Sequence, residues 1–204
     1  MIKYIVFDFD GTLADTFDVI KTIAMNEYSE YDIDVELFKS EGAKGMLKLL
    51  KLPRWKIPGM ILNVTSKLRN SKDIKLFPGI VDLLNELKDN YKIGIVSSSS
   101  REIINNTLKD YNIENLFEFV YSESSLFGKQ TVLKKMCTKH NINPLEVIYV
   151  GDEDRDIIAA KKANIKTIAV TWGFNTKEKL SKENPDYLAD SPMHLLEALQ
   201  RLRQ

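Results

Sequence analysis

Residues 4–16 read YIVFDFDGTLADT and set two aspartates at the mouth of an otherwise apolar run. A carboxylate left unpaired beside a core is costly, so Asp8 and Asp10 need a reason to stand there. Successive side chains on a strand face opposite ways, which lets Asp8 and Asp10 share one side while Phe9 turns into the core. Gly11 then allows a sharp swing of the chain around whatever the pair holds. Two carboxylates on one side at a strand end suit a cation.

Working outward, short β-branched runs alternate with longer helical stretches, the pattern of a parallel sheet covered by helices. The strands are expected over 3–8, 92–97, 117–121, 147–151 and 167–171. Helical spacing or composition marks 101–111, 129–140, 154–163 and 193–202. The whole predicts an α/β fold with a doubly wound parallel sheet. One interval breaks the rhythm. From Thr16 to Leu76 no strand is evident, and apolar residues recur at helical spacing through 17–28, 45–52 and 60–68, broken by Pro53, Pro58 and Gly59. The chain therefore divides into an α/β core of residues 1–15 and 77–204 and a small helical cap of residues 16–76, bounded by Phe77-Pro78-Gly79.

Composition bounds the partners. The 204 residues are 44% apolar, enough to bury a core, and 29 basic side chains balance 29 acidic ones. A formal charge of zero gives no global pull toward nucleic acid or an anionic membrane. A single cysteine, Cys137, excludes an internal disulfide. The opening apolar run is interrupted by Asp8 and Asp10 and does not suit a signal peptide. No apolar run approaches the roughly 18 residues of a membrane span. A cytoplasmic protein, monomeric or weakly dimeric, is expected.

In an open α/β sheet the reactive surface lies beyond the carboxyl ends of the strands. The second expected strand ends in Ser97-Ser98-Ser99-Ser100 just before a helix, a place that favours an anion. A later strand ends in Gly151-Asp152-Glu153-Asp154-Arg155-Asp156, and Gly128-Lys129 offers a cation nearby. Taken singly, the serines and aspartates read as helix caps and Lys129 as a solvated charge. Their shared placement at strand ends argues for one site. Two other motifs fail on spacing. Asp152, Asp154 and Asp156 open like a calcium loop, but Ile157 stands at position six and Ala163 at position twelve. Gly128-Lys129 lacks the Ser or Thr of a P-loop, because Gln130 follows and Glu123 replaces the earlier glycine. His140, His194 and Cys137 have no ligand-spaced neighbours and read as structural.

With these residues in place, the chain resembles the haloacid dehalogenase-like hydrolases, in particular their phosphoglycolate phosphatase-like branch with a helical cap. The first motif is similar to Asp8-Phe9-Asp10-Gly11-Thr12, the second to the strand ending in Ser97, the third to Lys129 and the fourth to Gly151-Asp152 with Asp156. The cap position, Phe77-Pro78-Gly79 and Trp172-Gly173 are similar too, so the likeness spans nearly the whole chain. Two positions depart from it: Gln130 stands where relatives usually have proline, and Ser98 where many have asparagine. Lys134 and Lys135 are the alternatives to Lys129.

The resemblance implies a phosphatase that passes a phosphoryl group through an aspartyl phosphate. Asp8 would be the nucleophile; a carboxylate is ionised at neutral pH and needs no base to attack. Repulsion is its difficulty, since like unit charges 4 Å apart at an effective dielectric near 20 repel by about 4 kcal/mol. A magnesium ion, Mg2+, held by Asp8, Asp10 (through its backbone carbonyl) and Asp152, with Asp156 as a further ligand or as a support behind them, would relieve it. Lys129, Ser97 and Ser98 would hold the phosphate and Thr12 would orient the group by a hydrogen bond. Asp10 would be the acid and base, a task that calls for a pKa raised toward neutrality.

An acid at position 10 favours phosphate esters over carbon–halogen bonds, whose cleavage needs no protonated leaving group. Sugar-phosphate mutases share that acid and remain the alternative enzyme. A non-catalytic phospho-accepting signalling module or binding module is the alternative of another class, though signalling modules place the accepting aspartate midway along a shorter chain and here every catalytic position is filled. The substrate is expected to be a small phosphorylated metabolite. The cap is acidic between 17 and 37, with six acids against Lys21, and basic between 38 and 76, with ten bases against Glu41 and Asp73. Lys44, in the loop Ser40-Glu41-Gly42-Ala43-Lys44-Gly45, is the expected cap contact to an anionic substrate.

Overall fold

The computed structural model describes residues 1–27, 54–56, 59, 62–63, 66–68, 74–122 and 128–203. Six strands form one parallel sheet in the order β5-β4-β1-β6-β7-β8. They are β1 (Tyr4–Phe7), β4 (Lys92–Ser97), β5 (Phe117–Ser122), β6 (Val147–Gly151), β7 (Lys166–Val170) and β8 (Tyr187–Ala189). After β1 the chain winds outward through β4 and β5, then returns to the other side of β1 for β6, β7 and β8. The winding reverses at β1, the place where open α/β sheets bind ligands beyond the carboxyl ends of their strands.

Alternation along β1 feeds two layers. Ile5 and Phe7, with Phe9 beyond the strand end, belong to one apolar cluster with α2 (Ile80–Leu87), α3 (Arg101–Asp110) and α7 (Pro192–Arg203). Val6 faces the other way into a cluster with Val132, Leu133 and Met136 of α4 (Lys129–Lys139) and Ala159 and Ala160 of α5 (Asp154–Lys162). Phe9 is fully buried, as the alternation requires; a side chain of that size contributes about 1.5–3 kcal/mol on burial. Asp8 follows Val6 by two and so shares the face on which α4 begins.

The expected strands and helices differ from those observed by about a residue at most boundaries. Three differences are larger. Residues 75–76 lie inside the interval read as lacking strands, yet β3 (Lys75–Leu76) pairs antiparallel with β2 (Ala14–Asp15). Two residues per strand cannot show a period. α2 was not anticipated, although Ile80, Leu83, Leu84 and Leu87 are all buried at helical spacing. β8 and α6 (Lys177–Lys182) were also unread; α6 buries only Leu180, too little to make a pattern.

α1 (Phe17–Glu27) occupies the first helical stretch expected in the cap. Of the other two, 45–52 lies outside the described residues, and within 60–68 the described residues 62–63 and 66–68 are helical. The β2–β3 pair and the bond from the Phe77 amide to the Leu13 carbonyl (3.0 Å) bring the chain before and after this interval side by side. Among the described residues no helix is long and apolar enough to cross a membrane.

Candidate active site

Parallel register aligns the strand ends: Phe7 pairs with Ile95 on one side and Val150 on the other. The residues following these strands therefore meet at one level. Asp8 leaves β1 with its amide bonded to the Val150 carbonyl (2.8 Å) and its Oδ1 accepting from the Phe9 amide (2.8 Å). Its Oδ2 accepts from Lys129 Nζ at 2.7 Å, and the same ammonium donates to Asp156 Oδ1 at 2.5 Å. Lys129 is the first residue of α4, turned into the site after Gly128, whose φ of 79° suits glycine. Its ammonium lies 5.3 Å from the ring centroid of Tyr149, whose hydroxyl is tied to the Val96 carbonyl (2.8 Å).

Asp152 follows β6 and is fully buried. Both its oxygens are oriented: Oδ1 accepts from the Thr12 hydroxyl (2.8 Å) and Oδ2 from the Phe174 amide (2.7 Å). The loop around it has no spare room. Gly11 has φ +75°, and a Cβ there would lie 2.2 Å from Asp152 Oδ2. A Cβ on Gly151 would lie 2.5 Å from Asp156 Oδ2. Trp172 Nε1 donates to the Thr12 carbonyl (3.1 Å), and the Asn175 amide to the Asp152 carbonyl (3.3 Å), so the segment after β7 closes over the same loop.

One carboxylate oxygen from each of Asp8, Asp152 and Asp156 lies within 4.8 Å of the others, and all three residues are buried. Among the described residues one ammonium, that of Lys129, touches Asp8 and Asp156 and bears on Asp10, and the Arg155 guanidinium is paired with Glu153. Burial pushes Asp152 well above the usual carboxylate range, and the charges of Asp156, Glu153 and Asp8 push the same way. Burial likewise raises Asp156 to about 7, against the pull of Lys129. Burial opposes charge on Lys129, but Asp156 and Asp8 outweigh it and keep the ammonium firmly protonated. Among the described residues the acids of the site thus outnumber its cations, and its oxygen donors are those a hard divalent cation takes.

Asp10 is partly buried, with Oδ1 3.5 Å from the Ser99 hydroxyl. Burial first, then the charge of Asp8, raises its pKa to about 6; the hydroxyls of Thr16 and Ser99 and the charge of Lys129 pull it down. Ser97 is buried at the end of β4, its Oγ accepting from the Ser99 amide (3.2 Å). Ser100 caps α3 by accepting from the Ile103 amide (3.3 Å), the cap role open to any of the four serines.

Of the residues singled out in the sequence, Asp8, Lys129, Asp152 and Asp156 are in one cluster, with Asp10 and Ser97 beside it. Thr12 is buried with its hydroxyl given to Asp152, so it stands behind that carboxylate as an orienting group. Ser98 is exposed while its neighbour Ser99 faces Asp10. Lys134 and Lys135 are exposed on α4. Lys44 and its loop lie outside the described residues. Sequence reasoning passed over Ser99, Tyr149 and the Phe174 amide. Ser99 was visible within the serine run, but a strand tyrosine and a backbone amide carry no distinguishing pattern.

A model of the haloacid dehalogenase-like hydrolase family matches residues 5–170. The chain is 31% identical over 206 residues to a phosphoglycolate phosphatase of Synechococcus elongatus, covering 97% of each. It is 27% identical over 198 residues to the pyrophosphatase PpaX of Oceanobacillus iheyensis, covering 93% of this chain and 92% of that one. Among solved structures, a haloacid dehalogenase-like hydrolase, SP0104, from Streptococcus pneumoniae superposes with a TM-score of 0.83 at 25% identity, over 97% of this chain and 98% of that one. Fold, strand-end acids and these likenesses over nearly its full length agree: the chain belongs to the haloacid dehalogenase-like hydrolases, in their phosphoglycolate phosphatase-like branch.

Proposed function

We propose that this chain is a magnesium-dependent phosphatase that hydrolyses a small phosphate monoester through a phosphoryl group carried on Asp8. The observation that carries this reading is the ammonium of Lys129 bridging Asp8 and Asp156, with Asp152 within reach of both. Nucleophile, cation and further acids thus meet where the winding of the sheet reverses.

The buried, all-oxygen, acid-rich cluster fits magnesium, which Asp8, Asp152 and Asp156 and the Asp10 carbonyl would hold. When bound, the ion neutralises the acids and the substrate phosphate and so lowers the repulsion that opposes attack. The chain's own residues do the rest. Asp8 attacks phosphorus through a carboxylate oxygen; the bond from phosphorus to the leaving oxygen breaks, and that oxygen takes the electron pair. Asp10, with a pKa near 6, is protonated often enough at neutral pH to give its proton to the leaving oxygen. The resulting Asp10 carboxylate then removes a proton from water as the water oxygen attacks the same phosphorus. The bond from phosphorus to Asp8 breaks, phosphate leaves, and Asp8 is restored. Lys129 neutralises charge at Asp8 and on the phosphoryl oxygens throughout, and Ser97 binds a further oxygen.

Residues 16–76 serve as a cap that leaves the core at β2 and returns at β3, and Lys44 contacts the substrate from it. The pairing of Ala14–Asp15 with Lys75–Leu76 supports this division. The experiment is an assay with p-nitrophenyl phosphate with and without magnesium, on the wild type and on Asp8→Asn. The reading predicts turnover only with the divalent ion and its loss, by at least a thousandfold, in Asp8→Asn. Full activity in that variant overturns it.

A further inference from the structure

Arg155 has no task in the mechanism above, yet it stands between Asp152 and Asp156 in the first turn of α5. A cation at a helix N-terminus opposes the helix dipole, so the position calls for another reason. Its Nη2 donates to Glu153 Oε1 at 2.5 Å. The Glu153 side chain is 11% exposed and that of Arg155 53%, so the pair has a buried foot and an open guanidinium. Glu153 is itself held, its amide donating to Asp156 Oδ2 (3.2 Å), which fixes the guanidinium relative to the acid that Lys129 grips. Asp154 does not compete for it: its Oδ1 takes the Arg155 backbone amide and its Oδ2 lies 3.6 Å from Lys179 Nζ. Arg155 also feels the charges of Glu153, Asp156 and Asp8, beside the geometry that ties its guanidinium to Glu153 and, through the Glu153 amide, to Asp156.

A guanidinium has five N–H donors in a planar fork, and among the described residues Glu153 engages one corner of this one. We infer that Arg155 is a specificity-determining residue whose remaining N–H groups bind a second acidic group on the leaving side of the substrate. The inference rests on the function proposed above. The phosphoryl group in transfer would lie at Asp8 and Lys129, so the acidic group that Arg155 takes is a carboxylate or second phosphate joined to phosphorus through the leaving oxygen. A guanidinium pairs with either in the same bidentate manner.

The rival reading makes Arg155 a counterion for the crowded acids of the loop, which would affect every substrate alike. Arg155→Gln separates the two. Steady-state kinetics are measured with phosphoglycolate, pyrophosphate and ethyl phosphate, the last having no second acidic group. The inference predicts that KM for phosphoglycolate or pyrophosphate rises at least tenfold more than KM for ethyl phosphate, with kcat changed less than KM. Which of the two rises names the acidic group. Calorimetry with magnesium and two non-hydrolysable ligands gives a readout free of turnover: phosphonoacetate should lose at least tenfold more affinity than methylphosphonate. Arg155→Lys, which keeps the charge but not the fork, should recover part of the difference. Equal changes with all ligands, or none, overturn the role of Arg155. A wild type that turns over none of these three compounds and not p-nitrophenyl phosphate overturns the proposed function, and the subsite falls with it.

Discussion

Lys129 Nζ lies 2.7 Å from Asp8 Oδ2, although 121 positions separate the two residues. The contact exists because Asp8 follows the last residue of β1 and Lys129 begins the helix on the face to which Asp8 points. Buried charges brought together across such a distance in sequence are stable only in company. Here the company is Asp156, on the far side of the same ammonium.

Removing that ammonium should be felt twice. Lys129→Met leaves acids without their cation, and breaking a buried pair in this way costs about 3–5 kcal/mol. The melting temperature of the metal-free protein should fall by on the order of 10 °C, and by less with magnesium present. Turnover of p-nitrophenyl phosphate should drop by about 10²–10³ if Lys129 stabilises the phosphoryl group. Calorimetry and a stopped assay check the two effects separately.

Acidity of the site links metal to stability. In the metal-free fold Asp10 and Asp156 are raised from 3.8 to about 6 and about 7, chiefly by burial. Between those limits the folded chain holds protons that the unfolded chain has released, so both groups make stability fall as pH rises from about 4 to 7. Magnesium needs the ionised acids, so its stabilisation should grow over the same range. At a hundredfold excess over its dissociation constant it contributes about 2.7 kcal/mol, or about 5–10 °C. Thermal melts with magnesium or chelator at pH 5 and pH 8 should show the larger gap at pH 8. An equal gap at both, or none, contradicts the assignment of these acids to the ion.

Asp10→Asn should discriminate between leaving groups. An alkoxide needs a proton as it departs, whereas p-nitrophenolate leaves without one. The first half-reaction should therefore slow by about 10²–10⁴ for an alkyl phosphate and far less for p-nitrophenyl phosphate. A burst of nitrophenol followed by slow turnover, read by stopped flow, is the expected signature, because water still lacks its base.

Thr12→Val removes the hydroxyl that orients Asp152 while keeping the side chain's shape. Loss of such an outer partner weakens metal affinity by about 10–100-fold. The magnesium activation curve should shift to higher concentration by that factor, with kcat at saturating magnesium much less affected.

The central layer of the fold was legible because its strands are runs of β-branched residues bounded by polar ends. Asp8-Phe9-Asp10 was legible because side-chain alternation leaves only one arrangement in which Phe9 is buried. Lys129 was only half legible: one lysine among 29 basic residues has no pattern, its place just before the acidic strand end made it a candidate cation, and resemblance gave it a role. Tyr149 beneath its ammonium looks like any strand tyrosine. The Phe174 amide that holds Asp152 leaves no trace in side-chain identity. β2 and β3 are too short for periodicity and form because Leu13 and Phe77 are brought together by the fold. Local pattern thus gave the elements, while contacts between distant loops gave the site its finish.

The most direct test is chemical. Wild-type protein mixed with substrate and magnesium, quenched in acid within milliseconds and digested, should yield the peptide containing Asp8 heavier by one phosphoryl group, with Asp8→Asn giving none. A phosphoryl group found on another residue, or none on the wild type during active turnover, would contradict the account.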